Sequence, residues 1–138
     1  MPTLKNYPRV ARKTVTLSAV AGQGAVGTVA LFTVQGSVVI ERITALCTTL
    51  LTGATATVEV GVAGNTAALI AQTTGTDIDA SEFWQDATPE AGVSPAIVEK
   101  NVKGNIILTV ATADVTAGVI EFVVFWRPLS TDGSLAAA

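Results

Sequence analysis

Apolar and polar residues alternate along most of this chain with a period of two. The pattern is clearest in Gly118–Arg127. There Ile120, Phe122, Val124 and Trp126 fall on one face, and Val119, Glu121, Val123 and Phe125 on the other. Successive strand side chains point to opposite faces, so this segment reads as a strand. Glu121 is the one polar residue on the second face, which predicts that both faces are at least partly covered. Pro128 has no N–H and restricts Arg127 to extended geometry, so the ladder should stop there.

The same period recurs elsewhere. Ala54–Val62 turns Ala56, Val58, Val60 and Val62 to one side and Thr55, Thr57 and Glu59 to solvent. Asn105–Ala111 places Ile106, Leu108 and Val110 on one face. Lys13–Ser18, Thr28–Val34, Val38–Leu51 and Ala96–Lys100 are further strands. In Thr28–Val34 the face is Ala30, Phe32 and Val34; in Val38–Leu51 it is Val39, Ile43, Ala45 and Cys47. Glu41 and Arg42 interrupt the latter and predict a bulge or bend. Gln35-Gly36-Ser37 has the length of a hairpin turn. Thr66–Thr73 fits neither the strand nor the helix period. About eight short strands between Gly-rich turns, with no amphipathic helix, predict an all-β, single-domain antiparallel sandwich that is jelly-roll-like.

The flanks lack this pattern. Residues 1–13 hold two prolines and Lys5, Arg9, Arg12 and Lys13, half of the chain's eight basic residues. They read as an extended N-terminal arm on a sandwich domain spanning residues 14–129. Residues 130–138 read as a flexible C-terminal tail. Residues 74–94 form a long polar excursion with Asp77, Asp79, Glu82, Asp86 and Glu90 around Phe83-Trp84. Long excursions in small domains are often functional.

Composition sharpens this picture. Of 138 residues, 49% are hydrophobic and 14% charged. The charged share is well below the roughly 25% of ordinary soluble domains. Either neighbours cover part of the surface, or Thr, Ser and Gly replace charges there. No apolar run has the length of about 18–20 residues that spans a bilayer, and the N-terminus lacks a signal peptide's apolar core. Cytoplasmic synthesis is the expectation, and the single Cys47 fits it, as a buried structural thiol. The basic arm and acidic loop suggest contact with a neighbour of complementary charge.

Candidate chemistry is sparse. With no histidine, imidazole general-base and triad chemistry is excluded. Asp77 and Asp79, followed by Ser81 and Glu82, could alternate as calcium ligands. The twelve-residue calcium-loop pattern is missing, and a solvated acidic turn or helix N-cap is the plainer reading. Gly22-Gln-Gly24-Ala-Val-Gly27 spells a dinucleotide motif, but a strand follows it where a helix is required. Beyond the arm only Arg42, Lys100, Lys103 and Arg127 are basic, which argues against nucleic acid. No cofactor, metal or small-molecule substrate is expected. Phe83-Trp84 either anchors a partner or plugs one end of the sandwich. Glu121 either reaches a rim or pairs with a base such as Arg42.

Three stretches resemble a known family: Gly36-Ser-Val-Val-Ile-Glu-Arg-Ile-Thr-Ala, Lys103-Gly-Asn-Ile-Ile-Leu-Thr-Val-Ala-Thr-Ala-Asp, and the ending Ala117–Gly133 with its Arg-Pro-Leu break and Asp-Gly. They are similar to the capsid decoration (cement, head-stabilising) proteins of tailed bacteriophages. The resemblance spans residues 14–133 and is one of style, with no signature motif and no catalytic residues. It implies a non-enzymatic virion protein that binds the major capsid protein on the outside of the shell, often as a homotrimer. On this reading Lys5, Tyr7, Arg9, Arg12 and Lys13 of the arm, and Asp77, Asp79, Glu82, Phe83 and Trp84 of the loop, contact partners. A tail, neck or fibre-base β-subunit would share the composition. A carbohydrate-binding sandwich would use Phe83-Trp84 as a stacking platform.

Overall fold

The computed structural model of the chain describes residues 9–94 and 99–138. Among these residues it contains eleven strands and one 3-10 turn. The strands are β1 (Arg9–Leu17), β2 (Gly27–Gln35), β3 (Val38–Thr52), β4 (Thr57–Val62), β5 (Asn65–Thr74), β6 (Glu82–Phe83), β7 (Glu90–Ala91), β8 (Lys100–Val102), β9 (Ile106–Ala111), β10 (Ala117–Pro128) and β11 (Ser134–Ala137). The 3-10 turn is Gly75–Asp77. The strands form two antiparallel sheets. Sheet A runs β1-β10-β3-β6-β7, with β8 also pairing β3, and sheet B runs β11-β2-β9-β4-β5. Among the described residues no helix is long and apolar enough to cross a membrane.

β9 and β10 fold as their alternation dictates, whereas in β4 Glu59, expected to face solvent, is buried along with Val58 and Val60. Ile120, Phe122 and Val124 of β10 are fully buried, and they face a core that includes Ile106 and Leu108 of β9 and Val58 and Val60 of β4. Val119, Glu121, Val123 and Phe125 are half-buried on the outer side. β10 sits between β1 and β3, and its pairing ends at Pro128 opposite Val38.

Bulges correct two of the face assignments. Phe125 pairs with Arg42 but Trp126 pairs with Ile40, so Glu41 is an extra residue in β3. An extra residue reverses strand parity. Hence Val38 and Ile40 are buried before the bulge and Ile43, Ala45 and Cys47 after it, while Val39 lies on the other face. In β2 the register jumps between Ala30 and Phe32, which buries both Leu31 and Phe32 and leaves Ala30 exposed. Residues 66–73, which matched neither period, lie in β5, and β5 also pairs with β4 through register shifts. Most of the strand expected over residues 96–100 lies outside the described residues; β8 begins at Lys100.

The Gly36 turn is not a hairpin, because β2 and β3 belong to different sheets. The chain crosses the sandwich there and bonds to a second turn. Ser37 N–H donates to Ser130 Oγ at 2.9 Å, and Leu129 N–H donates to the Ser37 carbonyl at 2.9 Å. Gly36 takes φ +60°, and a Cβ at this position would strike the Ser130 hydroxyl and the Asp132 carboxylate. The Ser130 hydroxyl donates to Asp132 at 2.6 Å and holds that carboxyl below its ordinary pKa.

Both flanks differ from expectation. Arg9–Lys13 is not an arm: β1 pairs with β10 without a break from Arg9 opposite Trp126 to Leu17 opposite Gly118. Residues 130–138 are not a frayed tail: β11 pairs with β2 from Ser134 opposite Gln35 to Ala137 opposite Phe32, and Leu135 is buried. In each case a neighbouring strand with unpaired N–H and C=O groups recruits a segment of weak propensity. The sandwich therefore extends beyond the expected 14–129.

Candidate functional site

Residues 75–94 close one side of the sandwich. Trp84 is fully buried. Its backbone N–H donates to the Ala45 carbonyl of sheet A at 2.8 Å, and its Nε1–H donates to Thr73 Oγ1 of sheet B at 2.8 Å. Its ring meets Phe122 edge-on, with centroids 6.4 Å apart. Gln85 Nε2 donates to the Ile43 carbonyl at 2.9 Å, and Ile78 is fully buried. Trp84 is thus a bolt between sheets and not an exposed anchor. Its polar N–H has a partner, as a buried indole requires. A sugar platform built on Phe83-Trp84 loses its larger ring.

Phe83 points the other way. It pairs with Leu46 and lies half-buried on the outer face of sheet A. A shallow depression of about 380 Å³ opens there. Its floor is Leu46, Phe83, Val123 and Phe125, with Thr44 and Ser94 beside them, and Arg12, Arg42 and Glu121 at its margin. Strand register makes this surface. Val10, Phe125 and Arg42 lie in one row across β1, β10 and β3; Arg12, Val123 and Thr44 lie in the next; Thr14, Glu121, Leu46 and Phe83 lie in the third. Arg42 lies over the Phe125 ring, its Cζ 4.4 Å from the centroid, a cation–π contact. Val10 adds apolar surface beside Phe125 and is 50% exposed.

The expected basic cluster is split by strand parity. Arg9 stacks over Trp126 at 5.2 Å, and Lys13 Nζ donates to the Ala138 carbonyl at 2.6 Å. Only Arg12 of the three reaches the depression. Lys5 and Tyr7 lie outside the described residues. Glu121 shares the depression with Arg42, but the one ion pair among the described residues joins Arg127 to Glu41. In the acidic excursion, the half-buried Glu82 accepts the Asp79 N–H at 2.8 Å. Asp77 and Asp79 are exposed. Among the described residues no three acidic or thiol groups come together in a way that could hold a metal.

Cys47 lies on the inner side of sheet A, fully buried. Burial pushes its thiol up to about 11, and the charges of Asp79 and Glu82 add to the rise. It is therefore a neutral packing residue at ordinary pH and a poor nucleophile. Arg42, Leu46, Val123 and Phe125 were not singled out as site residues from the sequence. The available signal was the apolar second face of Gly118–Arg127, which needs cover from something. No protein family, curated protein or solved structure significantly matches this chain.

Proposed function

We propose that the chain is a non-enzymatic structural subunit of a tailed-phage virion. It docks on the outer surface of the shell formed by the major capsid protein, reinforces it, and self-associates as a trimer. The observation that carries the self-association is the outer face of sheet A. Its apolar strip runs through Leu46, Phe83, Val119, Val123 and Phe125, all half-buried within one chain, with charged residues at the margin. Interface cores are rich in aromatic residues and Arg inside a polar rim. The virion assignment rests on the resemblance of residues 36–45, 103–114 and 117–133.

A jelly-roll reading fits this role, since such double sheets are common in capsid and lectin domains. Strand order supports it. Setting aside β7, β8 and β11, sheet A runs β1-β10-β3-β6 and sheet B β2-β9-β4-β5. Chain segments β1 to β4 alternate between sheets, and β9 and β10 return between the strands laid down first. This order is the one expected of two interlocked Greek keys and supports the jelly-roll reading.

The test is co-sedimentation with shells purified from the virus that encodes the chain. Saturable binding to heads, with a raised melting temperature of the shell, is the expected result. Binding to isolated tails and not to heads would replace the capsid assignment with a tail or neck role. Binding to neither would overturn the virion reading.

A further inference from the structure

We propose that the depression on sheet A receives the acidic excursion of a second copy of this chain. Arg12 and Arg42 meet Asp77 and Asp79 of that copy in a head-to-tail contact. The inference rests on reading this face as the self-association face, and it names the segment of the second copy that fills it.

Charge complementarity carries the choice. Arg12 and Arg42 make one end of the depression cationic on a chain of net charge -3, while Glu121 and Glu90, the strand partner of Phe83, lie toward the other end. Among the described residues neither Arg12 nor Arg42 has an ion-pair partner. The contact with Phe125 restrains the Arg42 guanidinium, whose N–H groups can pair bidentately with a carboxylate. The matching acids are on the same molecule. Asp77 and Asp79 are exposed and make no ion pair among the described residues, while their neighbour Glu82 is engaged with the Asp79 backbone. Leu50, 44% exposed, lies at the end of β3 that packs on the 3-10 turn, so an apolar side chain accompanies the acids.

Donor and acceptor are different patches. The contact is therefore heterologous: each copy gives its excursion to one neighbour and its depression to another. Such contacts close into rings or continue as filaments. Exposed ion pairs add little affinity by themselves, so the apolar floor supplies attraction and the charges set register and encounter rate.

The experiment is sedimentation velocity on the full chain from about 1 to 200 µM at low and high salt. Self-association that weakens at high salt is expected. Arg12→Glu with Arg42→Glu should weaken it by about tenfold or more, the equivalent of roughly 1.4 kcal/mol. Asp77→Arg with Asp79→Arg should do the same. Combining all four substitutions in one chain should restore it, which a merely structural effect would not do. Should the fourfold variant fail to fold, mixing the two double variants reads the same contact, and hetero-association is then expected. A wild-type monomer at every concentration would overturn the proposal, as would unchanged association of the Arg12/Arg42 variant or folded proteins without restoration. Shell co-sedimentation, measured separately, shows whether the virion reading fails or only this contact.

Discussion

The outer faces of the two sheets are built on the same two-residue period yet are finished differently. On sheet B the outward residues are mainly small or hydroxyl-bearing: Thr28, Ala30 and Thr33 on β2, Thr109 and Ala111 on β9, Thr57 and Gly61 on β4. Its one outward carboxylate, Glu59, is 9% exposed and is held by the Thr66 hydroxyl and by Gln72 Nε2 from β5. The Glu59 carboxylate is thus satisfied within the chain, while the buried Thr109 hydroxyl of the same sheet has no hydrogen-bond partner among the described residues. On sheet A the outward residues include the large apolar Val10, Leu46, Phe83, Val123 and Phe125, together with Arg12, Arg42 and Glu121, which have no ion-pair partner among the described residues. A buried carboxylate must find donors locally, because leaving it without them is costly. Exposed guanidinium groups carry no such demand, so they can stand in water until a partner arrives.

This contrast can be broken in graded ways. The largest loss is expected where the sheets are joined and on neither outer face. Trp84→Ala should cost about 3–5 kcal/mol of unfolding free energy, read by urea denaturation. Had Trp84 been an interface anchor, monomer stability would barely move. Next comes Cys47, under sheet A. Its folded pKa of about 11 exceeds the ordinary 9.0, so the folded state holds its proton more tightly. The contribution is fully present below pH 9 and is lost as pH rises toward 11, at most roughly 2–3 kcal/mol. Ellman's reagent at pH 8 should accordingly react at the rate of unfolding or local opening.

A paired test then sets the faces against each other. Thr66→Val on sheet B removes a donor from Glu59 and should cost about 1–3 kcal/mol of stability with no effect on self-association. Val123→Ser on sheet A should cost about 1 kcal/mol or less while weakening self-association. The opposite outcome would place the docking face on sheet B. The smallest effect is expected for Arg127 and Glu41, whose side chains are 42% and 23% exposed. A double-mutant cycle there should give under about 1 kcal/mol and decline with salt.

Alternation along Gly118–Arg127, Asn105–Ala111 and Ala54–Val62 was readable because backbone geometry alone sets a period of two. From it followed the all-β class, the core residues Ile120, Phe122, Leu108 and Val58, and a half-covered second face on β10. The Glu41-Arg42 interruption announced its bulge, since two charges cannot continue an apolar face. Other features depended on which strand lies beside which. Arg9, Arg12 and Lys13 read as one basic cluster, but pairing with β10 sends Arg12 outward, stacks Arg9 on Trp126 and ties Lys13 to Ala138. Ser134–Ala137 has little strand propensity and becomes β11 only because β2 offers it an edge. Phe83 and Trp84 are neighbours in sequence with opposite fates. β3 pairs with Phe83 and takes the Trp84 N–H on its Ala45 carbonyl, so one ring faces the depression and the other bolts the sheets together. Local chemistry determined that this chain would be strands with one apolar face too many. Long-range pairing, which no local period encodes, decided which residues that face gathers.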